Sequence, residues 1–297
     1  MAIIADKYAA VINKTVTQLS GDEQGLKSPF FSMQNGIPLP SEKELKEIVL
    51  LTRSILFPGY FGKSQVYAQT IHYHIGVNTE RLYTLLIEQI YAGLCFNVKG
   101  DDAYYAGNRK KSQQLAADFI VKLPEMRLTM ESDVRATYNG DPAAESLGEI
   151  IYCYPSIRAV SNYRIAHELL ELGVPIIPRI ITEMAHSETG IDIHPGAKIG
   201  EAFTIDHGTG IVIGATAIIG NNVKLYQGVT LGAKSFPLDD EGNPIKGIPR
   251  HPIIEDDVII YSNATILGRI VIGAGAVIGA NLWVTENVNA GEKLVKG

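Results

Sequence analysis

The chain has 297 residues, 46% of them hydrophobic and 20% charged, and its 26 basic against 32 acidic side chains give a formal charge of −6. That balance suits one large globular domain or two ordinary ones with a sizeable core, and its sign gives no support to polynucleotide binding. Two isolated cysteines, Cys95 and Cys153, argue against a disulfide framework or zinc ribbon and fit a reducing compartment. The opening "MAIIADKYAAVINKTV" lacks the build of a signal peptide. No run of about 18 apolar residues occurs, so a cytoplasmic protein is expected, with neither nucleic acid nor a membrane as partner.

Up to residue 187 the pattern is helical, and about six helices are expected there. "SEKELKEIVLLTRSILF" opens with Ser41 and carries Glu44 three residues on, a capping box, followed by Leu45, Ile48, Val49 and Thr52 at helical spacing. "NTERLYTLLIEQIYAGL" has Asn78 as the expected N-cap, with Leu82, Leu85, Leu86 and Gln89 on one face. "KSQQLAADFIVKLPEMRLTMESDVRATYNG" reads as a helix, a break at Pro124 and a second helix. "GDPAAESLGEIIYCYPSIRAVSNYRIAHELLELGVP" adds at least one more, ending near Gly173. His72, His74 and His167 read as packed, structural histidines.

From residue 188 to 297 the period is six. Ile193, Ile199 and Ile205 are followed, after a two-residue slip, by Ile213, Ile219, Leu225 and Leu231; after an interruption come Ile254, Ile260, Ile266, Ile272, Ile278 and Val284. Small or branched residues recur four positions further on, among them Ala197, Thr209, Ala217, Val223, Val229, Val258, Ala264, Ala276 and Val288. A short fixed period of this kind marks a solenoid of hexapeptide repeats: three hexads make a triangular coil, and the apolar residue of each points into the shaft. The expected architecture is α + β, an α-helical amino-terminal domain (1–187) followed by a parallel β-helix (188–297). The interruption, "GAKSFPLDDEGNPIKGIPR" (232–250), is rich in proline, glycine and acid and should be extruded as a loop.

Four stretches, "GIDIHPGAKIG" (190–200), "TIDHGTGIVIG" (204–214), "YQGVTLGAKS" (226–235) and "RHPIIEDDVIIYSNATILG" (250–268), together with the helical "GDPAAES" and "SNYRIAHELLELG", resemble serine O-acetyltransferase. The resemblance implies a left-handed β-helix that transfers acetyl from acetyl-CoA to the hydroxyl of L-serine, giving O-acetyl-L-serine and CoA, the first step from serine to cysteine. It further implies His207 as general base and Asp192 as its orienting carboxylate. Asp141, Asp206, Arg250 and His251 correspond to residues that hold the amino acid, and Gly232, Ala233, Lys234 and Ser262 to contacts for CoA. The residue types suit the reaction. A histidine with a pKa near 6.5 can take the hydroxyl proton, and a carboxylate on its other nitrogen steadies the imidazolium. An arginine fork matches the substrate carboxylate, and aspartates match its ammonium. Asp192 and His207 lie 15 residues apart, against 18 for a full coil, so adjacent coils should bring them near one another.

The resemblance also implies a homotrimer with sites in the clefts between neighbours, or a dimer of trimers joined by the helical halves. Relatives dock onto cysteine synthase through a terminal isoleucine, and the ending "GEKLVKG" argues against such a complex and weakens any expectation of inhibition by cysteine. Two other chemistries fit parts of the pattern. A hexapeptide-type zinc carbonic anhydrase needs three converging histidines, which His194, His207 and His251 could supply, but the spacing lacks that family's H-x-x-x-x-H pair, and no metal is expected. Acetyl transfer to another hydroxyl acceptor, such as a sugar, is the alternative on the same shaft.

Overall fold

The computed structural model describes residues 2–20, 39–62, 65–96, 98, 100–235 and 237–295. Among the described residues, seven helices, α1 (Ala2–Ser20), α2 (Glu42–Leu56), α3 (Ile71–Leu94), α4 (Asp102–Gly140), α5 (Leu147–Cys153), α6 (Pro155–Glu171) and α7 (Ile177–Thr189), precede fourteen short strands. None of the described helices is long and apolar enough to cross a membrane.

The helix caps show where local chemistry decided the boundaries. Ser41 Oγ accepts from the Glu44 N–H, the first half of the expected capping box, but the reciprocal half is replaced: the Ser41 N–H donates to Gln89 Oε1 at 2.7 Å, and Glu44 instead accepts from the Gln89 amide. The expected start of α3 at Asn78 is overturned: the helix begins at Ile71, and Asn78 lies inside it, its amide donating to Ser54 Oγ at 3.3 Å. The expected break at Pro124 is also overturned, for α4 runs unbroken from Asp102 to Gly140. Phe119, Leu123, Met126 and Met130 are all buried on one side of it. Packing on both sides of the proline thus outweighs one lost backbone hydrogen bond. Near α6, Gly173 adopts a φ of +78°, the left-handed turn that ends a helix.

The strands wrap into a left-handed parallel β-helix of about five coils. Its first face stacks Asp192–Ile193, Val212–Ile213, Thr230–Gly232, Thr265–Leu267 and Trp283–Val284. The second stacks Lys198–Ile199, Ile218–Ile219, Ile253–Ile254 and Val271–Ile272; the third stacks Thr204–Asp206, Lys224–Tyr226, Ile259–Ile260, Val277–Ile278 and Lys293–Leu294. Every six-spaced apolar residue from Ile193 to Val284 is buried, so the hydrophobic gain accumulates coil by coil along the axis. The register pairs Ile193 with Ile213 and Ile205 with Leu225, so the first coil is 20 residues long, whereas Ile213 pairs with Leu231 across 18.

The two extra residues fall in the corner between the third and first faces. Thr209, one of the recurring small residues, is exposed there, whereas its counterparts such as Ala197 and Val229 are buried, and Ile211 takes the inward place. The two inserted residues move the inward position from 209 to 211. The described residues between 233 and 252 leave the shaft; the loop is expected over 232–250, but Gly232 still ends a first-face strand and the next strand opens at Ile253. The loop makes its own antiparallel bridge between Leu238 and Pro244, with Asp239 Oδ1 accepting from the N–H groups of Glu241 and Asn243.

One core runs through both halves. At the junction Asp133 of α4 is wholly buried and meets Arg164 of α6 at 3.1–3.2 Å while accepting the Phe203 N–H at 2.9 Å. Arg164 also donates to the carbonyls of Ile199 and Gly200 at 2.7 and 2.6 Å. Tyr163 reaches the Ala197 carbonyl at 2.7 Å. These contacts clamp α4 and α6 onto the first coil. Burial pushes the Asp133 carboxyl up to about 6 against the pull of Arg164, which leaves it ionised at neutral pH.

Candidate active site

The polar residues singled out above fall into two groups at different corners of the prism, with the first face between them. One group occupies the wide corner between the third and first faces. Asp206 ends its strand, and His207 follows at a φ of +57°. The left-handed region is unfavourable for a residue with a Cβ, and strain of this kind collects at functional sites. The turn thrusts the imidazole outward, leaving the side chain 75% exposed, with Nε2 3.7 Å from Asp206 Oδ1.

The helical half delivers Asp141 to the same corner, directly after the last residue of α4. Its Oδ2 accepts from the Tyr154 hydroxyl at 2.7 Å and its Oδ1 from the Ala143 N–H at 2.8 Å. The Tyr154 hydrogen bond, then the Ala143 amide, hold the Asp141 carboxyl below the usual carboxylate range. The same carboxylate pushes the Tyr154 phenol up to about 12, so it stays a donor. Lys224 of the third face bridges the two halves: Nζ donates to the Gly140 carbonyl at 2.8 Å and lies 3.2 Å from Asp206 Oδ2. Burial alone depresses the Lys224 ammonium; the Tyr226 hydroxyl and the Asp206 carboxylate more than offset that and hold it above the ordinary lysine value.

The second group lies at the corner between the first and second faces, where the 233–252 loop returns. His251 is buried, and its ring packs over Gly214, where a Cβ would fall 2.0 Å from the imidazole. Only glycine admits that approach. Thr216 Oγ1 accepts from the N–H groups of Arg250 and His251 at 2.9 and 3.2 Å and stands 2.8 Å from His251 Nδ1. The Thr216 N–H also points at Nδ1, at 3.1 Å. Nδ1 is therefore the acceptor, and the proton sits on Nε2. Burial first, then Arg250, His194 and Arg269, push His251 down to about 4.

This has a measurable consequence. The ring carbon resonances of His251 should stay constant from about pH 8 to about 5.5, because the folded-state pKa lies below the reference of about 6.5. The unfolded chain then binds the extra proton, so the stabilisation from a neutral His251 is complete above about pH 6.5 and is lost as the pH falls toward 4. A His251 titration midpoint above pH 6 in an NMR series contradicts the assignment.

His194 belongs to this second corner, its Nδ1 accepting from the Gly196 N–H at 2.9 Å. Burial and then Arg179 hold it below the ordinary histidine value. Asp192 stands on the first face, half-buried, with its carboxylate within 4.8 Å of ligand atoms of Glu183 and His186 on α7. No hydrogen bond or ion pair joins it to His207 within the chain; the carboxylate at ion-pair distance from that ring is Asp206. The 20-residue coil stacks Asp192 on Val212, the first strand residue after the widened corner that carries His207. His207 is likewise separated from His194 and His251, so the three histidines do not converge within the chain.

The residues expected to meet CoA are split as well. Gly232 closes a first-face strand and accepts the Gly268 N–H at 3.0 Å, and Lys234 is exposed beside it. The returning loop and the shaft enclose a groove of about 320 Å³ here, lined by Lys234, Arg250 and Arg269 among others. Three cations in one groove suit a polyanionic ligand. Ala233 sits at the root of the loop, while Ser262 lies across the molecule in the corner above His207, its carbonyl accepting from the Asn281 N–H at 2.9 Å. Sequence reasoning missed Tyr154, Lys224, Thr216 and Arg269. Only Tyr154 carried a local signal, as the residue before the Pro155 that opens α6.

Comparison with known proteins places this geometry. The family described as bacterial transferase hexapeptide (six repeats) matches residues 251–286. A plasmid-encoded serine acetyltransferase of Synechococcus elongatus is 51% identical over 257 residues, 86% of this chain and 81% of that protein. The chain belongs to the serine acetyltransferase family. Among solved structures, serine acetyltransferase 1 of Entamoeba histolytica, crystallised with L-cysteine, is 38% identical and superposes with a TM-score of 0.73 over 84% of this chain and 86% of that one. A soybean serine acetyltransferase complexed with serine is 28% identical, with a TM-score of 0.55 over 87% and 98%. The chain is thus a serine O-acetyltransferase acting on the hydroxyl of L-serine, an activity that implies acetyl-CoA as its co-substrate.

Proposed function

We propose that the enzyme acetylates serine in a cleft shared by two copies of the chain, the wide corner of one facing the His251 corner of the next around a threefold axis. The observation that supports this is the division of the polar residues between two corners flanking the first face. That face also leaves Val212 39% and Trp283 71% exposed, an apolar strip suited to a neighbour. A base as exposed as His207 also needs a covering surface to exclude water from the reacting thioester.

In that cleft His207 takes the proton of the serine hydroxyl as the oxygen attacks the thioester carbonyl. The tetrahedral intermediate collapses, the carbon–sulfur bond breaks, and the imidazolium returns the proton to the departing CoA thiolate. Asp206, beside the ring, and Asp192, on the adjoining face, are the carboxylates available to orient it. Asp141 and Asp206 hold the substrate ammonium. Arg250 holds its carboxylate from the neighbouring chain, and the fixed Nε2–H of His251 is a donor beside it. Gly232, Ala233 and Lys234 hold CoA, with Ser262 contributed from the opposite wall. The L-cysteine bound to the Entamoeba relative supports a second reading of the same cleft, in which cysteine competes with serine.

Complementation tests the shared cleft. His207→Ala and Arg250→Ala chains should each be nearly inactive toward L-serine. When the two are co-expressed, about a quarter of the clefts in randomly mixed trimers combine an intact His207 with an intact Arg250. Thiol release from acetyl-CoA should therefore recover to about that fraction of wild type. Mixed assemblies no more active than the separate variants would place both residues in one chain's site.

A further inference from the structure

The geometry points to Lys224 as a positioning residue that ties the end of α4 to the shaft and so holds Asp141 and Asp206 in one pocket for the serine ammonium. This rests on the reading of those two aspartates given above. Lys224 occupies the outward slot of a third-face strand, in register with Thr204 on one side and Ile259 on the other. Its side chain is only 16% exposed, a depth at which an ammonium needs partners. It has three. The Gly140 carbonyl lies at 2.8 Å and Asp206 Oδ2 at 3.2 Å, and the Tyr226 ring centroid is 4.7 Å away. Its ammonium thus joins two site-bearing elements, the end of α4 and the strand that ends at Asp206.

Gly140 is the last residue of α4, so its carbonyl belongs to the negative end of the helix dipole, where a cation is favoured. Asp141 follows at once, so whatever holds that carbonyl sets where the carboxylate begins. The Asp133–Arg164 clamp is two turns upstream, about 11 Å along the axis. The final turns of a helix fray when nothing holds them. Lys224 pins the last turn, and with the same ammonium it fixes Asp206 Oδ2, turning Oδ1 toward His207. The side chain thereby sets the separation of the two carboxylates without touching substrate. Tyr154 completes the arrangement by holding Asp141 Oδ2.

The test is steady-state kinetics on the full chain with Lys224→Ala, Lys224→Met and Lys224→Arg. Losing a charge-assisted tether should raise the serine KM about tenfold in the first two variants, with kcat and the acetyl-CoA KM moving less than about threefold. Lys224→Arg, which keeps the cation, should restore most of the serine KM. The methionine variant preserves the apolar stem over Tyr226 and serves if the alanine variant folds poorly. A serine KM within about twofold of wild type, or kcat and both KM values worsening together, overturns the assignment. Asp141→Asn, measured alongside, separates the two readings. If it leaves the serine KM unchanged, the ammonium pocket itself is wrong; if it raises that KM while Lys224→Met does not, only the role of Lys224 falls.

Discussion

Replacing His207 with alanine should lower kcat for serine acetylation by about 10²- to 10⁴-fold, the range general-base catalysis contributes, or roughly 3–5 kcal/mol of barrier. The expectation follows from geometry. His207 is the imidazole thrust out of the wide corner beside Asp206 and facing Asp141, whereas His251 is held neutral with Nδ1 already accepting from Thr216. The backbone here is left-handed, so alanine carries some strain of its own. His207→Asn tolerates that conformation better and should lose the same activity, which separates chemistry from strain. The measurement is thiol release at saturating L-serine and acetyl-CoA, with thermal midpoints recorded for both variants. A loss smaller than about tenfold in the asparagine variant removes His207 as the base.

Replacing Arg164 with alanine should cost about 3–5 kcal/mol of stability at pH 8, the usual penalty for leaving one partner of a buried pair uncompensated. Four groups lose their partner at once: the Asp133 carboxylate, the Ile199 and Gly200 carbonyls, and the packing face of Tyr163. The pH dependence has a definite sign. Burial already lifts the Asp133 pKa to about 6, above its ordinary 3.8, and without Arg164 it rises further. The folded variant then binds a proton that the unfolded chain does not, so its deficit shrinks as the pH falls from 8 toward 5. Denaturant titrations at the two pH values give both quantities. A deficit below about 1 kcal/mol at pH 8, or one that grows on acidification, contradicts the clamp. Because the clamp seats α4, the serine KM of the folded variant should also rise.

Much of the architecture is legible from residue order. Burial of an apolar side chain every sixth position dictates a coil of three short strands, and the six-spaced set from Ile193 to Val284 lines the shaft without exception. Ser41 with Glu44 marked one helix start correctly because an N-cap is a local hydrogen bond. The two-residue slip between Ile205 and Ile213 was visible too. Its consequence was not, because spacing alone does not say which residues of the widened corner turn inward and which turn out. The coordinates put it around His207 and turn Thr209 outward. Asn78 and Pro124 misled for a related reason: both are local breakers, and α3 and α4 are held together by packing that local chemistry does not register.

The sequence by itself determined the repeat, the helical half and the residue types the chemistry needs, since periodic burial and the demands of proton transfer are written in short-range order. Only the tertiary structure decided how those residues are grouped. Asp141 lies 65 positions before Asp206, and it reaches that corner because a buried ion pair seats α4 on the first coil and Lys224 holds the helix end. Asp192 lies only 15 positions before His207, yet it stacks on Val212, and the carboxylate paired with that ring within the chain is Asp206. Distance along the chain says little about distance across a prism, because the position of each corner depends on coil lengths and on contacts between elements that no local pattern encodes.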